Sequence, residues 1–151
     1  MDSNKPKRLV TAEEETDIAR KMMVWANTFR DNEMPVATIN YEMLPADAPG
    51  MAFSTIPGTY ITQRYILGGH RAEYQFQIIA RVIPGNSNDK RLKTDALLNR
   101  FGDWAASNYP ALGENIRVLR VEATSRGAVF ARYNDGTEDH QILMKMTYEV
   151  I

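Results

Sequence analysis

Two stretches of the chain, residues 71–83 and 137–150, alternate between apolar and polar residues. A period of two is typical of a strand that has one face on a core. The apolar positions are Ala72, Tyr74, Phe76, Ile78, Ala80 and Val82 in the first stretch, and Ile142, Met144, Met146, Tyr148 and Val150 in the second. A strand over residues 71–83 spans roughly 43 Å. That length exceeds the diameter of about 40 Å expected for a compact domain of this size.

Two other segments carry apolar residues at helical spacing. Thr11 and Glu14 form a T-x-x-E capping box at the start of the first. The second runs from about Lys90 to Asn108, and Pro110 follows its end. The apolar faces are Ile18, Met22, Trp25, Ala26 and Phe29 in the first helix, and Leu97, Leu98, Phe101, Trp104 and Ala105 in the second.

Glycine pairs and Asp-Gly steps predict the turns between strands. Gly68 and Gly69 predict a hairpin that joins a strand over 59–67 to the long strand. Asp135 and Gly136 predict a second hairpin, from residues 128–133 into 137–150. Further strands are predicted over residues 36–44 and 116–124. Residues 44–58 contain three prolines and two glycines and are predicted to be a long loop or arm, and residues 1–9 a flexible tail.

The order of elements predicts one α+β domain over residues 10–151. We expect an antiparallel or mixed sheet with both helices packed on one face, and long projecting β-hairpins. Unpaired edges of such hairpins need a partner that covers them. Gln75 and Gln77 should face away from the helices. The predicted core anchors are Trp25, Tyr74, Phe76, Phe101, Trp104 and Tyr148.

Composition narrows the class of protein. The chain has 151 residues, of which 44% are hydrophobic and 25% charged, as in an average globular domain. A net charge of −1 does not favour nucleic acid or an acidic membrane as the main partner. The absence of cysteine removes disulfides and thiolate chemistry. No apolar run approaches the roughly 18 residues of a membrane helix, so the chain is expected to be soluble and intracellular.

Candidate chemistry is sparse. His140 lies near Asp135, Glu138 and Asp139, which could form a metal or acid–base site. The backbone conformation of a tight turn explains Asp135 and Gly136 more simply than a site does. His140 is expected where the strand leaves the core. We therefore predict no enzyme, no catalytic or metal-binding residue and no cofactor, and we expect His140→Ala to leave folding nearly intact.

The polar face of the long strand carries Arg71, Glu73 and Arg81. These charges fit either a solvated ladder of cross-strand pairs or a charged subunit interface, and we retain them as interface candidates.

Three segments carry a resemblance to a known family. GGHRAEYQFQIIARV, LLNRFGDWAASNYPAL and YNDGTEDHQILMKMTYEV resemble the minor capsid protein family of tailed bacteriophages (siphophages) and prophages, which is related to tail terminator proteins. The resemblance covers residues 10–151. Its most specific elements are Gly69 with Arg71-Ala72-Glu73-Tyr74, the helix end from Trp104 to Pro110, and Asp135-Gly136.

The resemblance implies a structural virion protein without catalytic residues. Such a protein forms a ring, usually of six copies, that caps the tail tube and faces the head connector, while DNA passes through without sequence-specific binding. It would act at the head–tail junction of the virion, after assembly in the cytoplasm of the bacterial host. Two alternatives stay open: a head-completion or connector adaptor, and a small ligand-binding or hydrolytic α+β domain with a deep polar pocket.

Overall fold

The computed structural model describes residues 8–151, which form two helices and eight strands. The predicted α+β class, with helices packed against a sheet, is confirmed. The helices are α1 (Ala12–Ala26) and α2 (Asn88–Ser107). The strands are β1 (Arg8–Leu9), β2 (Asn40–Tyr41), β3 (Gly50–Thr55), β4 (Tyr60–Arg64), β5 (His70–Val82), β6 (Ile116–Ala123), β7 (Ala128–Arg132) and β8 (Glu138–Val150).

The two longest strands, β5 and β8, form the centre of the sheet. They pair antiparallel over their whole length, from His70 opposite Val150 to Val82 opposite Glu138. Strands β3 and β4 share the other edge of β5, and β6 and β7 share the other edge of β8. This chain's own strands therefore cover the edges that were expected to need a partner. In the β4–β5 hairpin, only the turn extends past the paired strands.

Strands β6 and β7 lie end to end along β8, with an irregular segment between them. Thr124 N donates to Leu143 O at 2.8 Å, and Gly127 N donates to Asn99 Oδ1 of α2 at 2.7 Å. A Cβ on Gly127 would lie 2.7 Å from the Asp95 carbonyl oxygen, so only glycine fits this close approach between strand and helix.

The predicted loop over residues 44–58 contains a strand, which corrects that prediction. Residues 50–55 form β3, and Met51, Ala52 and Phe53 are buried in succession. The predicted strand over 36–44 is reduced to Asn40–Tyr41, which pairs parallel to β3. A strand buried on both faces does not alternate, so its sequence lacks the period-two pattern.

The start of the described chain also differs from the predicted tail. Arg8 and Leu9 pair with Ile61 and Tyr60 of β4, while residues 1–7 of that prediction lie outside the described residues. In the part of the chain described, no helix combines the length and apolar character that crossing a membrane requires.

Both helices cover the face of the sheet that carries the even-numbered residues of β5 and β8, as predicted. Trp25 of α1 lies at the centre, with its ring 6.1 Å from Phe76, 6.0 Å from Phe101 and 5.0 Å from Trp104. The predicted register is correct, because Gln75 and Gln77 point to the other face. Of the predicted core anchors, Trp104 is only partly buried, and the others are buried: Trp25, Tyr74, Phe76, Phe101 and Tyr148.

Candidate subunit interface

The helix-free face of the sheet, called the open face below, carries the odd-numbered residues of β5 and β8. Arg71 and Glu73 lie on it, half-buried, opposite Glu149 and Thr147 of β8. The Nε of Arg71 is buried without a hydrogen-bond partner. Two of the three interface candidates are therefore side by side in one polar layer, as their spacing predicts.

Strand β6 extends this polar layer with charges that the sequence analysis did not single out. Arg117 contacts Glu149, Arg120 lies 3.4 Å from Glu122, and Lys145 of β8 lies 3.8 Å from Glu122. The alternation of residues 116–123 is interrupted by a β-bulge between Val118 and Arg120, which brings Arg120 and Glu122 to the face of Arg117, so the sequence pattern alone does not place these charges together. The exposed Arg120–Glu122 pair contributes about 0–1 kcal/mol, so a partner can replace it at little cost.

Arg81, the third candidate, is held within the chain. Its Nε and Nη2 donate to the two carboxylate oxygens of Asp139 at 2.8 and 2.9 Å, and its Nη1 donates to Pro45 O at 2.6 Å. Its guanidinium also lies over the Tyr133 ring, 5.4 Å from the centroid. The hydrogen bond to Asp139 raises the pKa of Arg81. The Arg81 guanidinium thus links β5, on which it lies, to β8 and to the segment before β3. The Nε of Arg71, by contrast, has no hydrogen-bond partner among the described residues.

The turn of the β4–β5 hairpin, residues 65–69, projects at one end of the open face. Gly68 and Gly69 adopt positive φ angles of 95° and 85°, as a tight turn needs. Ile66 and Leu67 lie between Tyr65 and this pair of glycines, and their exposed fractions are 100% and 99%. Full exposure of two adjacent aliphatic side chains forfeits about 1.5–3 kcal/mol of burial each, so this turn, called the tip below, is suited to contact with another molecule.

The tip is fastened to the open face. Tyr65 Oη donates to Glu149 Oε2 at 2.6 Å, and this bond, with a second from Arg117, holds the pKa of Glu149 below its usual range. Gly69 packs against the carbonyl of Val150, where a Cβ would lie 2.2 Å from the oxygen. The exposed aliphatic pair is therefore presented on an anchored turn.

The second predicted turn has the predicted residues in the expected roles. Gly136 has a φ of 89°, and Asp135 Oδ1 accepts from Thr137 N at 2.9 Å. This hydrogen bond from the Thr137 backbone lowers the pKa of Asp135. Asp135 therefore serves the turn and stays apart from His140.

His140 is buried, with 1% of its surface exposed, which corrects its expected place at the margin of the core. Its Nδ1 lies 2.7 Å from Asp95 Oδ1 of α2, and its Nε2 lies 3.1 Å from Glu138 Oε1. Burial raises the pKa of Glu138, but hydrogen bonds from Arg91 and His140 outweigh it and leave that pKa lowered. The structure thus brings Glu138 to His140 and adds Asp95, whose role needed the helix–strand packing to be seen.

Asp139 points to the opposite face, toward Arg81, so the four residues suspected from the sequence do not converge. Within residues 8–151, no three His, Cys, Asp or Glu side chains are grouped so that they could hold a metal ion.

An open groove of about 670 Å³ lies between α1 and the β2–β3 edge, and is called the groove below. Its carboxylates are engaged within the chain. Glu42 accepts from Ser54 Oγ and Thr55 N, and Glu15 accepts from Thr59 N and Oγ1. The remaining lining is Thr16, Ala19, Arg20, Met23, Tyr41, Pro57 and Gly58.

A hydrogen-bonded cluster connects the start of α1 to the tip end of the sheet. Thr11 Oγ1 accepts from Glu14 N at 3.1 Å, which confirms the predicted cap. The Glu14 carboxylate instead accepts from Tyr148 Oη at 2.7 Å and lies 3.0 Å from His70 Nε2. Burial and the Glu14 carboxylate raise the pKa of Tyr148. These contacts fix the end of β5 from which the tip projects.

No family model matches the chain, and no curated protein matches it either.

Proposed function

We propose that the chain is a structural subunit of a tailed bacteriophage with the role of a tail terminator. Copies form a closed ring, usually of six, that caps the tail tube protein and presents a surface to the head-completion or connector protein. DNA passes through the ring without sequence-specific binding. The protein acts in the virion at the head–tail junction, and assembles in the cytoplasm of the bacterial host. It acts as a structural protein and not as an enzyme.

The observation that supports this proposal best is the presence of separate contact surfaces with different chemistry. The tip offers two fully exposed aliphatic side chains, and the open face beside it offers half-buried and exposed charges. The groove lies on another side, along α1. A ring needs two different complementary surfaces on each subunit, because its contacts run head to tail.

The interior polar groups favour a structural role over ligand binding. The buried charges pair with one another, as Arg81 does with Asp139 and Glu138 does with Arg91. The groove carboxylates likewise accept hydrogen bonds from their own chain. A ligand pocket is instead expected to aim a few uncommitted polar groups at one point.

The test is a charge reversal in the virus that encodes the protein. We expect Arg71→Glu to leave the subunit folded, because the buried Nε of Arg71 makes no hydrogen bond within the described residues that the substitution would break. It should disturb the ring, so that electron micrographs show tails of uncontrolled length or heads without tails. Glu73→Arg should act in the same direction, and Lys93→Glu on the exposed side of α2 is the matched control.

Normal tail length and infectivity in viruses carrying Arg71→Glu or Glu73→Arg would remove these residues from the interface. If deletion of the gene also left tails of normal length, the terminator function would be refuted. Heads without tails, accompanied by separate tails that are capped and contain no DNA, would instead assign the protein to the head side as a connector adaptor.

A further inference from the structure

The tip is a projecting aliphatic knob without a recess in its own chain. Turn positions normally carry Gly, Asn, Asp, Pro or Ser, whereas residues 66 and 67 are isoleucine and leucine. Both side chains are fully exposed. The turn that carries them is closed by hydrogen bonds from Tyr65 N to Gly69 O and from Gly68 N to Tyr65 O, each 3.2 Å long.

The groove is a recess of matching chemistry. Ala19, Met23, Tyr41 and Pro57 give it an apolar lining, and its volume of about 670 Å³ is ample for two aliphatic side chains. Polar groups lie around this lining, including Glu15, and the exposed Val24 continues the same side of α1.

The tip cannot reach the groove of its own molecule. Thr55 of the groove pairs with Phe76, six residues along β5 from His70, so this end of the groove lies about 20 Å from the tip end of the strand. The other end is nearer, because Glu15 accepts from Thr59, next to Tyr60, which pairs with Glu73. The anchoring of Tyr65 to Glu149, and of Gly69 against Val150, prevents the turn from folding back. A tip that fills the groove therefore comes from another molecule.

The tip of a second copy of this chain matches the groove in charge as well as in shape. Arg64 is exposed immediately before the tip. Insertion of the tip brings this cation to a groove whose lining carries two carboxylates, Glu15 and Glu42, and one cation, Arg20. Each carboxylate accepts hydrogen bonds from its own chain, and the lining as a whole has one more acidic than basic side chain, which favours the approach of a cation.

We propose that the Ile66–Leu67 tip of one subunit inserts into the groove of the next copy. The contact is heterologous, because a knob on one side of the molecule meets a recess on another side. Repeated around an axis, it closes into a ring. The inference rests on the proposed function for that closure, and it names the side chains that make the contact.

The experiment uses the absence of cysteine from the natural sequence. Copies carrying only Leu67→Cys are mixed with tagged copies carrying only Met23→Cys, at high concentration and on purified tail tubes, under a mild oxidant. A disulfide forms only when the two Cα atoms come within about 7 Å. The expected product is a cross-linked dimer of one tagged and one untagged copy. Thr16→Cys, on the exposed side of the same groove, is the second variant and should also cross-link.

The control pairs Met23→Cys with Leu92→Cys, an exposed position on α2, and should give no product. Adding Ile66→Ser to the Leu67→Cys copies should reduce the yield about tenfold or more, since it removes one buried aliphatic side chain. The proposal is overturned if Leu67→Cys copies couple to each other, if they couple to the tail tube protein, or if they couple to neither groove cysteine.

The two proposals fail separately. Cross-linked rings that leave tail length unregulated would retain the tip–groove contact and refute the terminator function. Tubes that are capped at normal length by uncross-linked subunits would retain the function and refute the contact.

Discussion

The guanidinium of Arg81 and the carboxylate of Asp139 meet at two points across the central strand pair, with N–O distances of 2.8 and 2.9 Å. Only 3% of the Asp139 side chain and 17% of the Arg81 side chain are exposed. Two parallel hydrogen bonds between opposite charges fix the relative position of β5 and β8 more firmly than a single contact would.

We therefore expect Asp139→Asn to lower the free energy of unfolding by about 2–3 kcal/mol, because it leaves Arg81 without its counter-charge. Urea denaturation followed by circular dichroism measures this loss. Arg120→Met, which removes an exposed pair on the open face, should change the value by less than about 1 kcal/mol. Equal losses from both substitutions would contradict the structural role of the Arg81–Asp139 pair.

Acid should destabilise the protein through Glu138 and Asp139. Burial raises the pKa of each carboxyl, but hydrogen bonds from Arg91 and Arg81 respectively outweigh it, so both pKa values are lowered from their ordinary 4.5 and 3.8. The unfolded chain then binds more protons than the folded one below these ordinary values. Stability is thus fully present above them and is lost as pH falls through the folded values.

Urea unfolding measured from about pH 6 to about pH 3 tests this expectation. The free energy of unfolding should fall toward the acid end, and Glu138→Gln should flatten part of that fall. A free energy that stays constant over the range would contradict the lowered pKa values.

His140→Ala should now be destabilising, by about 2–4 kcal/mol. It opens a cavity in the core and leaves Asp95 and Glu138 without the imidazole between them. Chemical denaturation measures the loss. His70→Ala removes the less buried histidine at the sheet end and should cost about 1 kcal/mol. A larger loss for His70→Ala would reverse the order that the burial of the two rings predicts.

Trp25→Ala should cost more than Trp104→Ala. Trp25 is buried, and its Nε1 donates to Asn108 O at 2.7 Å, whereas Trp104 lies at the margin of the core and stacks on Trp25. We expect losses of about 4 kcal/mol and about 2 kcal/mol respectively. Denaturant midpoints of the two variants give the order, and loss of the near-ultraviolet circular dichroism of the stacked pair should accompany both substitutions. Equal midpoints would contradict the central position of Trp25.

The central strands and their inward residues could be predicted because one face is buried and the other is polar. That condition imposes a period of two, which Tyr74, Phe76, Met144 and Met146 follow. The turn at Gly68 and Gly69 was equally predictable, because positive φ angles favour glycine. In each case a local physical constraint determines which residue types stand at neighbouring positions.

Strand β3 and the surroundings of His140 could not be predicted in this way. Met51, Ala52 and Phe53 are buried on both faces, and prolines stand close on either side of the strand, so the local pattern is that of a loop. Asp95 meets His140 only because Gly127 lets α2 approach the sheet closely. The groove likewise depends on α1 and β3 lying side by side, which follows from the core as a whole.

The central place of β8 in the sheet has a consequence for the order of folding during synthesis. β8 is the last strand in the sequence. Among the described residues, β6 and β7 pair with β8 and with no other strand, and the pairing of His70 with Val150 also requires β8. Contacts at such long sequence separation form late, since a long loop must close first. A nascent chain therefore lacks a complete sheet until residues 138–150 have left the ribosome. The tip, which is anchored by Glu149 and Val150, therefore takes its position only after these residues have been made.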